Sequence, residues 1–163
     1  IMRIKALLLS TLTLIVALSS LVYAGEKYQK PSGYVSDFAK VLPQENKVRI
    51  EAKLREYEKR TSIQLVVVVI PELTQATDFD EAQKIGEDWG IGKKGKDNGI
   101  LLLFTMKEKK IRIHVGYGLE EVMTDAKSKA IIEKLVSEMR KSIPVGIEKI
   151  ADEVIKELGD KTF

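Results

Sequence analysis

The sequence predicts an α/β/α sandwich, a small mixed β-sheet flanked on both faces by helices. Three observations point there. Gln64-Leu65-Val66-Val67-Val68-Val69-Ile70 and Gly99-Ile100-Leu101-Leu102-Leu103-Phe104-Thr105 are near-continuous apolar runs, as expected of strands covered on both faces. Lys110-Ile111-Arg112-Ile113-His114-Val115 alternates apolar and polar instead, so one of its faces is wet. Charged stretches with apolar residues at helical spacing precede, separate and follow these runs.

Taken in order, Met2-Arg3-Ile4-Lys5 is a short basic start, Ala6 to Leu21 is apolar with Ser and Thr, and Val22-Tyr23-Ala24 ends on a small residue. This is the layout of a secretory signal peptide over residues 1–24, cut after Ala24. The run is short for a retained anchor, which needs roughly 20 apolar residues. The polar stretch 25–33, with Pro31 and Gly33, reads as a linker, and residues 34–160 as the folded domain. Tyr34 to Ala39 is a brief extended piece. Pro43 suits a helix start, and Val48, Ile50, Ala52, Leu54 and Tyr57 mark an amphipathic helix over Glu45–Tyr57.

The first strand ends at Pro71. Asp78-Phe79-Asp80-Glu81 places acids where a helix N-terminus favours them, and that helix stops at Gly90. The second strand meets the alternating one through Met106 to Lys109, short enough for an antiparallel hairpin. Thr124 caps a helix opening at Asp125. Pro144 opens a last one, which Gly159 stops.

Composition narrows the chemistry. Among 163 residues there is no cysteine and one histidine, so disulfides, thiolate nucleophiles and soft-metal sites drop out. Loss of the leader removes Arg3 and Lys5 and takes the formal charge from +3 to about +1. No basic field remains to draw in nucleic acid or an anionic membrane. What is left is oxygen, the ligand set of hard cations such as Ca²⁺ or Mg²⁺.

Two glycine-bearing segments concentrate it. In Gly92-Lys93-Lys94-Gly95-Lys96-Asp97-Asn98-Gly99, Asp97 and Asn98 offer side-chain oxygens. The same residues also make an ordinary turn, since Asp and Asn bond their own backbone. In Gly116-Tyr117-Gly118-Leu119-Glu120-Glu121-Val122-Met123-Thr124-Asp125, Glu120 and Asp125 follow the third strand. There the alternative is a solvated loop with Asp125 favouring the helix dipole. Asp37 caps its own turn or points to the same site. His114 shares a strand face with Arg112, opposite Ile111, Ile113 and Val115, and reads as solvated or helix-facing rather than as a base. No nucleophile elbow is present. Trp89 reads as core, and Lys93, Lys94 and Lys96 as a solvated patch.

Together, Val35-Ser36-Asp37-Phe38-Ala39, Trp89-Gly90-Ile91-Gly92, Asp97-Asn98-Gly99-Ile100-Leu101-Leu102-Leu103, Ile113 to Glu120 and Thr124-Asp125 resemble the TPM domain family in family order, over about residues 33–158. The resemblance implies the same sandwich and a loop-end site for divalent cations, Ca²⁺ in particular. On matching positions it implies Asp37, Asp97, Glu120 and Asp125 as ligands, with Asn98 beside them. Glu121 stands where the family often has Gly. Relatives of the photosystem-repair type imply assembly or repair through protein contact, here through the Gly116–Leu119 loop with Tyr117 and Leu119 exposed. Plant relatives imply a metal-dependent acid phosphatase as the alternative. Many bacterial members continue into a membrane helix and a Gly-rich tail. This sequence shows neither before Phe163, so the expectation is a stand-alone periplasmic or secreted domain with no stable membrane anchor once the leader is cut.

Overall fold

The structure is a computed structural model that describes residues 28, 30 and 33–160. The signal peptide expected over 1–24 lies outside the described residues. Among them, one sheet holds β1 (Val35–Asp37), β2 (Gln64–Ile70), β3 (Gly99–Thr105) and β4 (Lys110–Val115), in that spatial order. β1, β2 and β3 run parallel, and β3 and β4 form the expected antiparallel hairpin. The helices are α1 (Gln44–Thr61), α2 (Asp78–Trp89), α3 (Asp125–Lys141) and α4 (Ile143–Leu158). A 3₁₀ turn, Tyr117–Leu119, follows β4.

The apolar runs are continuous because alternate residues enter different cores. Leu65, Val67, Val69, Ile100, Leu102, Phe104 and Ile113 pack with α1, α3 and α4 on one face. Val66, Val68, Ile70, Leu101 and Leu103 pack with Ala82, Ile85 and Trp89 of α2 on the other. This is the α/β/α sandwich, with three of the described helices on one side and one on the other. α1 runs one turn past the expected end at Tyr57, since Thr61 is fully buried and its hydroxyl donates to the Tyr57 carbonyl at 2.8 Å. Left-handed Ser62 then closes it. Glu148 of α4 takes Arg49 and Lys53 of α1. Such solvent-facing pairs contribute about 0–1 kcal/mol each.

Two expectations change here. Tyr28, within the stretch read as a linker, contributes to the α2-side core. Tyr28 is 7% exposed, stands 4.9 Å from the Phe38 ring, and receives the Trp89 indole N–H on its carbonyl. Lys30 donates to the Trp89 carbonyl. Leu119, expected at an exposed loop tip, is fully buried in the larger core, because the 3₁₀ turn rolls it inward while Tyr117 stays 83% exposed.

Candidate functional site

The parallel-then-antiparallel order decides which loops meet. Gly99 begins β3, and the β4 residue paired with Ile100 is Val115. The segment before β3 and the segment after β4 therefore emerge at the same end of the sheet. The Gly118 amide donates to the Asp97 carbonyl at 3.1 Å, and the Gly116 amide to the Gly99 carbonyl at 2.8 Å. Backbone lies on backbone here. A Cβ on Gly118 would stand 2.0 Å from the Lys96 carbonyl oxygen, and one on Gly116 would stand 2.3 Å from that of Asp97. No larger side chain fits between such surfaces. The two glycine-bearing segments are thus a single built unit.

Beside that unit lies a cavity of about 600 Å³, open to solvent. Asp97, Glu120 and Asp125 all line it, each from a different element. Asp97 sits at φ +48°, a left-handed conformation that Asp tolerates, held by its amide donating to the Lys93 carbonyl at 3.0 Å. Glu120 directly follows the 3₁₀ turn. Asp125 is the first residue of α3, behind the Thr124 hydroxyl that accepts from the Lys127 amide at 3.3 Å. Among the described residues, none of these three carboxylates has a hydrogen-bonding or ion-pair partner. Nor do any three His, Cys, Asp or Glu side chains there stand close enough to form a ready-made metal cage. The donors suit a hard cation in kind; their side chains are not drawn together around one point.

The other two expected ligands stand elsewhere. Asp37 pairs with Val69 at the far end of β2, whereas Gly99 pairs with Gln64 at its beginning. At roughly 3.3 Å per residue, Asp37 is most of a strand length from Asp97. It accepts the Leu42 amide at 2.7 Å through Oδ2, and its Oδ1 is buried without a hydrogen-bonding partner among the described residues. Asn98 is fully buried, and its side chain is committed: Oδ1 accepts from the Lys93 amide at 2.9 Å and Nδ2 donates to the Ser62 carbonyl at 2.8 Å. It clamps the loop that presents Asp97.

The opposite wall comes from α2, with Phe79, Gln83 and Glu87, and from the α2-facing side of β4, with Arg112 and His114. His114 meets Phe79 edge-on, with ring centroids 5.8 Å apart. Burial lowers the His114 pKa below 6.5, the positive Arg112 adds to this, and Glu87 opposes it. Arg112 is engaged: its Nε donates to Asp78 at 2.7 Å, and Lys110 donates to the other oxygen of the same carboxylate at 3.0 Å. Burial alone would raise the Asp78 pKa, but these two hydrogen bonds outweigh it and hold the group below its usual range. Asp78 thus begins α2, as its sequence suggested, and also ties that helix to β4. Nothing in the local sequence marks Glu87 as a wall residue, because an exposed helical glutamate is ordinary.

A family model described as "TPM domain" matches residues 35–157. The chain is similar to the solution structure of the N-terminal domain of a protein from P. gingivalis (24% identity, TM-score 0.71, covering 78% of this chain and 82% of that one). It is also similar to the BA42 protein from the psychrophilic bacterium Bizionia argentinensis (18%, 0.63, 73% and 82%). The N-terminal domain of cg2496 from Corynebacterium glutamicum is a third (15%, 0.59, 85% and 88%). At these identities the likeness concerns the fold. No curated protein matches the chain.

Proposed function

We propose that the chain, which belongs to the TPM domain family, is a divalent-cation-binding module of the cell envelope that acts in protein assembly, repair or interaction. Asp97, Glu120 and Asp125 are the proposed ligands, and Ca²⁺, or Mg²⁺, the proposed ion. One observation carries this reading: three carboxylates from separate elements line one cavity, and none has a cationic partner among the described residues. Hard cations take carboxylate oxygen, and a bound cation offsets the repulsion among such groups. The ligand set would close by side-chain rotation on a backbone that the Asp97–Gly118 contact already holds. Asp37 and Asn98 have no part in this set. Placement in the envelope follows from the signal peptide expected in the sequence.

Calcium titration followed by backbone amide shifts tests the proposal. Saturable shifts are expected at Asp97, Gly118, Glu120 and Asp125. Absence of any shift at millimolar Ca²⁺, or shifts centred on Asp37, would overturn it.

The second reading is a metal-dependent acid phosphatase. It is favoured by the phosphatase in the short name of the family model and by a cavity with room for a small phosphate ester. A bound cation would supply charge neutralisation at a phosphoryl oxygen. Asp125 would take the proton of an attacking water. Turnover of a phenyl phosphate ester that is unchanged in both Asp97→Asn and Asp125→Asn would dismiss this site from such chemistry.

A further inference from the structure

We propose that β4 receives an extended peptide strand that is acidic beside Lys110 and Arg112, uncharged beside His114, and apolar at the alternate positions. Among the described residues β4 is the last strand of the sheet. The Gly116 amide bonds to Gly99 across the hairpin. In an antiparallel ladder the bonded pairs alternate, so His114, Arg112 and Lys110 turn their backbone groups to β3. Those of Ile111, Ile113 and Val115 then point away from the sheet and have no hydrogen bond among the described residues. No proline or bulge interrupts β4. An edge in this state is a template for a further strand.

Charge selects the occupant. A strand laid on β4 sets alternate side chains directly beside Lys110, Arg112 and His114 on the α2 face, where unlike charges attract and like charges repel. Lys110 and Arg112 share a single carboxylate, that of Asp78, and their side chains stay 51% and 36% exposed. One positive charge of the pair is therefore left uncompensated. Arg112 gives Nε and Nη2 to Asp78 and lies over the Phe79 ring, while its Nη1 has no hydrogen bond among the described residues. Lys109 next to them has no partner among the described residues either. In the same turn Lys107 is paired with Glu72, and Glu108 accepts the Leu73 amide. Incoming carboxylates thus suit this end of the edge.

The other end selects differently. Burial and Arg112 hold His114 uncharged at neutral pH. Along α2 the cavity wall reads Phe79, Gln83 and Gly86 before it reaches the charge of Glu87. Glu120 and Asp125 follow β4, and Asp97 precedes Gly99, the partner of Gly116. From Lys110 to Gly116 a strand advances about 20 Å, more than twice the Debye length of about 8 Å at physiological salt. The cavity carboxylates therefore repel acids at the Gly116 end without cancelling the attraction at Lys110. On the opposite face Ile111, Ile113 and Val115 belong to the larger core or pack against it, as Val122 and Ile132 do. Apolar alternate residues extend that layer. A second copy of β4 brings no carboxylate to either cation, because it presents Lys110, Arg112 and His114 on the same face.

The probe is a capped peptide, threonine-valine-threonine-valine-glutamate-valine-glutamate, about one strand long. In antiparallel register it sets its glutamates beside Arg112 and Lys110 and a threonine beside His114. It is added to the isotope-labelled protein with a chelator present, which keeps the result independent of cation binding. The expected result is saturable amide shifts and slowed hydrogen exchange at Ile111, Ile113 and Val115. Exchanging the threonines with the glutamates keeps composition and net charge but moves the acids to the Gly116 end, and this isomer should bind about fivefold or more weakly. A similar loss is expected when the peptide's ladder-facing amides are N-methylated, a change that keeps charge and removes strand pairing. Four results would overturn the proposal: no effect on the three amides at millimolar peptide, equal binding of the exchanged isomer, equal binding of the N-methylated peptide, or the same changes on raising protein concentration alone. The first leaves the edge without this occupant, and the second removes the charge selection. The third makes the contact purely electrostatic, and the fourth assigns the edge to self-association.

Discussion

The backbone of Gly118 rests directly on that of Asp97: its amide donates to the Asp97 carbonyl at 3.1 Å, with no space for a Cβ against Lys96. This contact joins the loop before β3 to the loop after β4 and sets where Asp97, Glu120 and Asp125 stand. Gly118→Ala must part the two loops, since the obstruction is backbone rather than a flexible side-chain end. The expected cost is about 1–3 kcal/mol in urea unfolding, with a weaker response to Ca²⁺ in the folded protein. A fully stable Gly118→Ala protein would contradict the contact.

With Ca²⁺ at about 100 times its dissociation constant, the fold should gain roughly 2.7 kcal/mol. The double variant Asp97→Asn, Asp125→Asn should fold and lose most of that gain in a thermal melt, because neither carboxylate has a hydrogen-bonding or ion-pair partner among the described residues. Equal shifts of Tm in both proteins would place the ion elsewhere.

The two apolar residues of the 3₁₀ turn should separate cleanly. Leu119→Ala removes a fully buried side chain and should cost about 2–5 kcal/mol. Tyr117→Ala alters a residue that is 83% exposed and should stay within about 0.5 kcal/mol of the wild type. Denaturant midpoints compare them directly, and similar losses would mean that Tyr117 packs.

Asp78 links α2 to β4 and has a depressed pKa. A carboxylate favoured in the folded state supports the fold above its unfolded pKa, about 3.9, and this support fades as pH falls toward the folded value. Asp78→Asn should therefore cost about 1–2 kcal/mol at pH 7, allowing for the partly exposed Lys110 and Arg112. Below about pH 4 the difference should shrink. A difference that grows in acid would reverse the sign argued here.

His114 is the single histidine, so its ring resonances titrate without overlap. The midpoint should lie below 6.5, as burial and Arg112 require. Glu87 acts to raise it, so Glu87→Gln should move the midpoint lower still. A rise in that variant would mean that Glu87 does not face the ring.

Most of the fold was legible, for reasons that the cores explain. Val66 and Val67 bury into opposite clusters, and only a run without polar interruption serves both. Gly90 and Gly159 end α2 and α4 at positive φ, where the sequence placed the stops. The site was legible only in part. Asp97, Glu120 and Asp125 were recognisable as oxygen donors, and their shared cavity depends on β3 and β4 being antiparallel, which the short hairpin revealed. The position of Asp37 depends on β1 running parallel to β2, a choice that a three-residue strand joined through a helix leaves unmarked. Asn98 looked like a donor because its side chain is polar, and only three-dimensional packing shows both ends of the amide already spent.

The partnership of Tyr28 with Trp89 has a practical corollary. The family match starts at residue 35, yet the indole N–H is capped by a carbonyl seven residues upstream of it. A protein trimmed to the matched boundary would leave that nitrogen to water and strip an aromatic neighbour from Phe38. The damage would fall on the side of the sheet that, among the described residues, has one helix as its roof. Expression boundaries for this domain belong ahead of Tyr28, and a weakened variant begun at residue 35 would report on the missing edge of its roof rather than on the site.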